Sequence, residues 1–147
     1  MHPSTFKTFY AYVVFQGSPT RHVWDWFTTP AWRHCWVMVP VWFPSPGLMS
    51  QCFTMKIEPL TWGIDVDLWF EHPDVVAKSF YEKGATAILK VPVKIPATPS
   101  FVPRGVYSCV TVVKAMVGVR QWRVWTPKGL FGYLVRRQSA ELLDVGG

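Results

Sequence analysis

Two ten-residue stretches rich in β-branched, aromatic and sulfur-containing side chains place the strongest constraint on how this chain can fold. They are His34–Phe43 and Gln51–Leu60. The segment between them begins Pro44-Ser45-Pro46-Gly47, and Pro and Gly form turns because one fixes φ and the other accepts positive φ. The sequence therefore predicts a β-hairpin rich in core residues.

Helices and further strands are predicted on both sides of this hairpin. Their order along the chain is typical of an α+β fold. Pro at the start and Gly at the end mark the clearest helices. The predicted elements are a strand at 8–15, a short helix at 18–27, an extended segment at 61–70, a helix at 73–83, a strand at 85–95 broken by Pro92 and Pro96, a strand at 121–125 and a helix from Thr126-Pro127 to about 137.

Composition bounds the class of protein. The 147 residues fit one domain, and 50% hydrophobic content is ample for a packed core, which excludes a disordered chain. We expect the catalytic part of this domain to span about 32–134 and the tail 138–147 to be peripheral. No apolar run is long enough for a transmembrane helix, and the N-terminus lacks a signal-peptide pattern. Three cysteines without a scaffold spacing suit a reducing compartment, so we expect a cytoplasmic protein.

Charge is divided unevenly between two parts of the chain. Residues 1–75 carry four Lys or Arg against six Asp or Glu, a net charge of −2, whereas 76–137 carry eleven against one, a net charge of +10. The basic part predicts an anionic partner such as nucleic acid, a lipid surface or an acidic protein, although an ordinary solvated surface would look the same. Within this basic part, residues 120–125 interleave Arg with Trp. If they form a strand, alternation predicts that one of Trp122 and Trp125 is buried and that the other lies on a cationic face.

Cys109 has the most distinctive chemical context in the chain. Ser108 precedes it as a helix N-cap, and Gly118 ends the short apolar stretch that follows. A thiol in the first turn of a helix is stabilised as the thiolate by unpaired N–H groups and by the helix dipole. The same N–H groups can stabilise an oxyanion. Cys109 is therefore the candidate nucleophile, and His34, far upstream at the start of a predicted strand, is the best candidate base.

A His at the start of a strand followed later by a Cys at a helix N-terminus resembles the circularly permuted papain-like hydrolases, related to the NlpC and lecithin:retinol acyltransferase groups. The resemblance covers about 32–134. The pattern Tyr107-Ser108-Cys109-Val110 followed by Thr126-Pro127 and Leu130-Phe131-Gly132-Tyr133-Leu134 is similar to small phage-encoded proteins of this kind. The resemblance implies an antiparallel sheet packed on the Cys-bearing helix, with thiolate attack on an amide, ester or thioester and an acyl-enzyme intermediate. For a phage-encoded protein it also implies a location in the host cytoplasm or the virion.

The resemblance also implies a third residue that orients His34, drawn from the strand after the His strand. Glu58 is the leading candidate because it is acidic and the predicted hairpin would bring it close to His34. Gln51, Asp65 and Asp67 are alternatives that no motif excludes. The substrate class is a peptide, an isopeptide or an ester, and no cofactor is implied.

Other interpretations of the same residues remain open. Cys35 and Cys52 alternate with aromatic residues on strands, which favours core packing. Together with His34 and Cys109 they lack the spacing of a zinc site, so no metal is expected. His22 could replace His34 if the first helix packed over the Cys helix. The competing function is a non-enzymatic virion or accessory protein that binds through its basic face and assembles into a larger particle.

Overall fold

A six-stranded antiparallel sheet forms the centre of the protein, with strand order β4-β3-β2-β1-β5-β6. The structure, a computed structural model, describes residues 9–17, 28–43, 51–60, 63–93 and 108–144. The strands are β1 (Phe9–Gln16), β2 (His34–Phe43), β3 (Gln51–Leu60), β4 (Gly63–Trp69), β5 (Ala87–Val93) and β6 (Glu141–Leu142), and the helices are α1 (Pro73–Glu82), α2 (Cys109–Val117) and α3 (Pro127–Arg137).

Helices cover both faces of the sheet. Alternate side chains of a strand point to opposite faces, so Val13 and Phe15 pack with residues of α2 and α3, whereas Tyr12 and Val14 pack with α1. The middle of β1 is buried on both sides because β2 and β5 flank it and helices lie above and below it. The expected α+β fold, with an antiparallel sheet packed against the Cys-bearing helix, is confirmed.

Side-chain caps define where the helices begin. The Ser108 hydroxyl accepts the N–H of Thr111, and the Thr126 hydroxyl accepts the N–H of Gly129. Each bond satisfies a first-turn donor that has no partner within its helix. Gly118 ends α2 with φ of +76°, a left-handed conformation that side chains with a Cβ adopt at a cost.

The structure corrects two of the predicted strands. β5 runs unbroken through Pro92, which lies opposite Tyr10 of β1. On its outer side β5 pairs with β6 only at Leu89 and Lys90, so within the described residues no strand lies beside Pro92 there. Such an edge position tolerates Pro, which has no N–H to donate to a neighbouring strand. The predicted strand at 121–125 is wrong, because those residues form a turn between α2 and α3.

Several further expectations concern residues outside the described ranges. They are the helix at 18–27 with His22, the turn at 44–47, and the segment leading to Ser108. Within the expected peripheral tail, Glu141–Leu142 forms β6 at the edge of the sheet. In the part of the chain that the structure describes, no helix combines the length and apolar character needed to cross a bilayer.

Candidate active site

Cys109 is the first residue of α2 and is partly buried against the core on the α2 and α3 face of the sheet. Three N–H groups of the first turn lack partners within the helix. Ser108 accepts that of Thr111, and the N–H groups of Cys109 and Val110 have no partner within α2. The sulfur therefore lies where the helix dipole favours a negative charge.

His34 is the first residue of β2, and its ring is held by Glu58 of β3. The distance from His34 Nε2 to Glu58 Oε1 is 3.0 Å, and the two side chains are only 18% and 16% exposed. The register of the hairpin brings them together, because Val37 pairs with Ile57 and Glu58 therefore lies beside the start of β2. Because the carboxylate engages Nε2, Nδ1 is the ring nitrogen that stays available to the thiol.

Lys56 holds the other oxygen of Glu58. Its Nζ lies 2.6 Å from Glu58 Oε2, and also 3.1 Å from a carboxylate oxygen of Asp67 and 3.4 Å from one of Asp65. The Lys56 side chain is 12% exposed and its Nζ lies 5.6 Å from the centre of the Trp36 ring. Because Lys56 and His34 each engage one oxygen of Glu58, the Glu58 side chain is held in position from both sides.

The surroundings of Cys109 make it an acidic thiol. A hydrogen bond from the Cys35 thiol is the largest cause that lowers the pKa of Cys109. Burial acts against it, whereas hydrogen bonding and charge from His34 act with it, and the pKa falls to about 5. The backbone N–H of Cys35 acts in the same direction. Thiolate, the nucleophilic form, therefore dominates at neutral pH.

His34 is shifted in the complementary direction. Burial lowers its pKa, but the Cys109 thiolate and then the Glu58 carboxylate outweigh burial, so the pKa rises above the ordinary 6.5. The two shifts belong to one coupled pair. Between about pH 5 and the raised pKa of His34, the favoured state is a thiolate beside an imidazolium.

Cys35 packs in the core, as its alternation with aromatic residues predicted, and it also contacts Cys109, which the sequence did not indicate. It is fully buried, and burial followed by the neighbouring Cys109 raises its pKa, so it remains a thiol that can donate. Alternation along β2 could have indicated the position of Cys35 below α2, because Cys35, Val37 and Val39 lie on the same face of the strand and this face packs against α2. Lys56 was also missed, although it lies two residues from Glu58 on the same face of β3.

The other residues considered from the sequence lie elsewhere or contact different partners. Gln51 is opposite Phe43 at the far end of β3, and Cys52 is opposite Trp42. Asp65 and Asp67 contact Lys56. Among the described residues, no group of three or more His, Cys, Asp or Glu side chains is arranged to hold a metal ion.

Comparison of the chain with known protein families, with curated proteins and with solved structures finds no significant match.

Proposed function

We propose that the protein is a thiol hydrolase or acyltransferase that cleaves an amide or ester bond through Cys109. The observation that supports this most directly is the chain of contacts at one end of the sheet. An acidic thiol at a helix N-terminus lies against His34, and Glu58 binds the far side of the same imidazole at 3.0 Å. Nucleophile, base and orienting group in this order are the parts that nucleophilic catalysis requires.

In the first step, the Cys109 thiolate attacks the substrate carbonyl carbon and forms a C–S bond. The carbonyl electron pair moves onto oxygen, where the N–H of Cys109 at the start of α2 stabilises the charge. When the tetrahedral intermediate collapses, the bond to the leaving nitrogen or oxygen breaks, and the His34 imidazolium donates its proton to that atom. The products are a thioester on Cys109 and a free amine or alcohol.

In the second step, neutral His34 removes a proton from water or from an acceptor alcohol or amine. The activated oxygen or nitrogen attacks the thioester, and Cys109 departs as a thiolate beside the regenerated imidazolium. Water as acceptor gives hydrolysis, and any other acceptor gives acyl transfer. Glu58 orients the ring and stabilises its cationic form throughout.

We further propose that the fold is a circularly permuted papain-like arrangement. The support is the order of the parts along the chain: His34 begins one strand, Glu58 lies on the next, and Cys109 begins a later helix packed on the same sheet. All three cysteines are free, which fits the proposed location in a reducing cytoplasm or in a virion assembled there.

Acylation by p-nitrophenyl acetate tests the proposal. We expect a burst of about one nitrophenolate per protein and an acetyl group on the peptide containing Cys109, read by mass spectrometry. Cys109→Ala should abolish both, and Cys52→Ala, which removes a thiol far from His34, should preserve both. A burst that survives Cys109→Ala, or acetyl groups spread equally over Cys109 and Cys52, would refute the proposal.

A further inference from the structure

The turn between α2 and α3 exposes two large indole rings. Trp122 is 67% exposed and Trp125 is 72% exposed, so the expectation that one of them is buried is wrong. Burying an indole is strongly favourable, and a chain with a packed core would ordinarily use such residues inside it. Two neighbouring Trp side chains that protrude into water therefore point to a binding surface.

The turn that carries these rings is held to α2. Lys114 Nζ donates to the backbone carbonyl of Gln121 at 2.6 Å and to that of Val124 at 3.2 Å. The N–H of Val124 also donates to the Gln121 carbonyl at 3.4 Å. These bonds order the backbone on both sides of Trp122, so little conformational entropy remains to be lost when the surface binds a partner.

Cations accompany the exposed rings. The Arg123 guanidinium lies 5.0 Å from the centre of the Trp122 ring. Lys128 is exposed in the first turn of α3, where the helix dipole disfavours a positive charge, so its position is not explained by helix stability. The sequence has no Asp or Glu between Glu82 and Glu141. Local charge is therefore positive and complements an anionic surface.

We propose that Trp122, Arg123, Trp125 and Lys128, here called the Trp turn, bind the surface of an anionic lipid bilayer. Indole rings favour the headgroup region because they are large and apolar but carry a polar N–H. Arg and Lys beside them are attracted to lipid phosphates. Proteins that bind single-stranded nucleic acid combine aromatic rings with a positively charged groove that follows the strand. Trp122 and Trp125 instead protrude from a turn, which suits a broad lipid surface better. The inference does not depend on the proposed hydrolase activity.

Co-sedimentation of the full chain with vesicles tests the inference. We expect binding to phosphatidylcholine vesicles containing phosphatidylglycerol, weakening as salt increases, and little binding to phosphatidylcholine alone. The double variant Trp122→Ala/Trp125→Ala should bind roughly tenfold more weakly or worse, and Arg123→Gln about fivefold more weakly. Trp42→Ala is the matched control, since Trp42 is also exposed, at 56%, but lies on β2. It should bind like the unmodified protein.

Circular dichroism of each variant establishes that the fold is retained, and the exposed positions favour that outcome. Three results would overturn the inference: no binding to the anionic vesicles, equal weakening by Trp42→Ala and by the double variant, or binding to a labelled oligonucleotide that depends on Trp122 and Trp125 while vesicle binding does not.

Discussion

The pH dependence of alkylation distinguishes Cys109 from an ordinary cysteine of the same chain. Cys52 is the natural comparison, because it is also partly exposed and lies far from His34. A hydrogen bond from Cys35 and the interaction with His34 outweigh burial and lower the pKa of Cys109 to about 5. For Cys52, burial and then the charge of Asp74 raise the pKa above 9.0. Iodoacetamide reacts with the thiolate, so the two rates should follow different pH profiles.

The expected ratio of rates follows from ionisation and intrinsic nucleophilicity. At pH 6 about nine-tenths of Cys109 but at most about one in a thousand Cys52 thiols is ionised, a ratio of about 900. Each Cys109 thiolate is roughly 60-fold less nucleophilic, because the Brønsted coefficient is about 0.4–0.5. Because the pKa of Cys52 lies above 9.0, Cys109 should react at least roughly 15-fold faster at pH 6, and this advantage should shrink as the pH rises and Cys52 ionises.

The assay is timed labelling from pH 4 to 9 with each cysteine quantified by mass spectrometry. The decisive quantity is the pH of half-maximal labelling, because access to a thiol scales its rate equally at every pH. We expect a midpoint of about pH 5 for Cys109, and a higher midpoint in His34→Ala, which lacks the imidazolium. A Cys109 midpoint above about pH 8, or one that His34→Ala leaves in place, would refute the reasoning.

Three further variants test the surroundings of the pair and the core beneath it. Burial lowers the pKa of His34 while the Cys109 thiolate and Glu58 raise it, so Glu58→Gln should lower that pKa, measured by NMR titration of the His34 ring. Cys35→Ala removes a hydrogen-bond donor to the thiolate and should move the Cys109 labelling midpoint to higher pH. Leu134 of α3 is fully buried. Leu134→Ala should therefore reduce the free energy of unfolding in urea by about 2–5 kcal/mol.

Matched controls accompany these variants. Asp67→Asn removes a carboxylate that contacts Lys56 and leaves the contact between His34 and Glu58 in place, so it should change the His34 titration less than Glu58→Gln does. Leu60 is 47% exposed. Leu60→Ala should change the free energy of unfolding by no more than about 0.5 kcal/mol. A Cys109 midpoint unaffected by Cys35→Ala would show that the Cys35 donor is unimportant.

Local signals predicted most of the secondary structure. The strands at His34–Phe43 and Gln51–Leu60 have the predicted bounds, because their side-chain pattern and the Pro-Gly segment between them act over neighbouring residues. Ser108 and Gly118 likewise mark the start and end of α2. The proximity of Glu58 to His34 followed from the hairpin, since strand register sets which side chains are neighbours.

The failures have a common physical origin in partners that lie outside the segment whose structure was predicted. The segment 121–125 has the alternation of a strand, but Lys114 binds carbonyls of Gln121 and Val124, and the segment forms a turn. β6 is only two residues long and exists because the edge of β5 offers backbone partners. A prediction from local propensity takes account of neither the Lys114 side chain nor the free edge of β5.

The sequence by itself determined that Cys109 begins a helix and that His34 begins a strand, because caps, breakers and alternation operate within a few residues. The tertiary structure alone decided that α2 packs over β2 and that Cys35 contacts the sulfur of Cys109. It also decided that Lys56 and His34 hold Glu58 between them. Hydrogen bonding, charge and burial depend on distance through space, and these distances exist only once the sheet register and the helix packing are set.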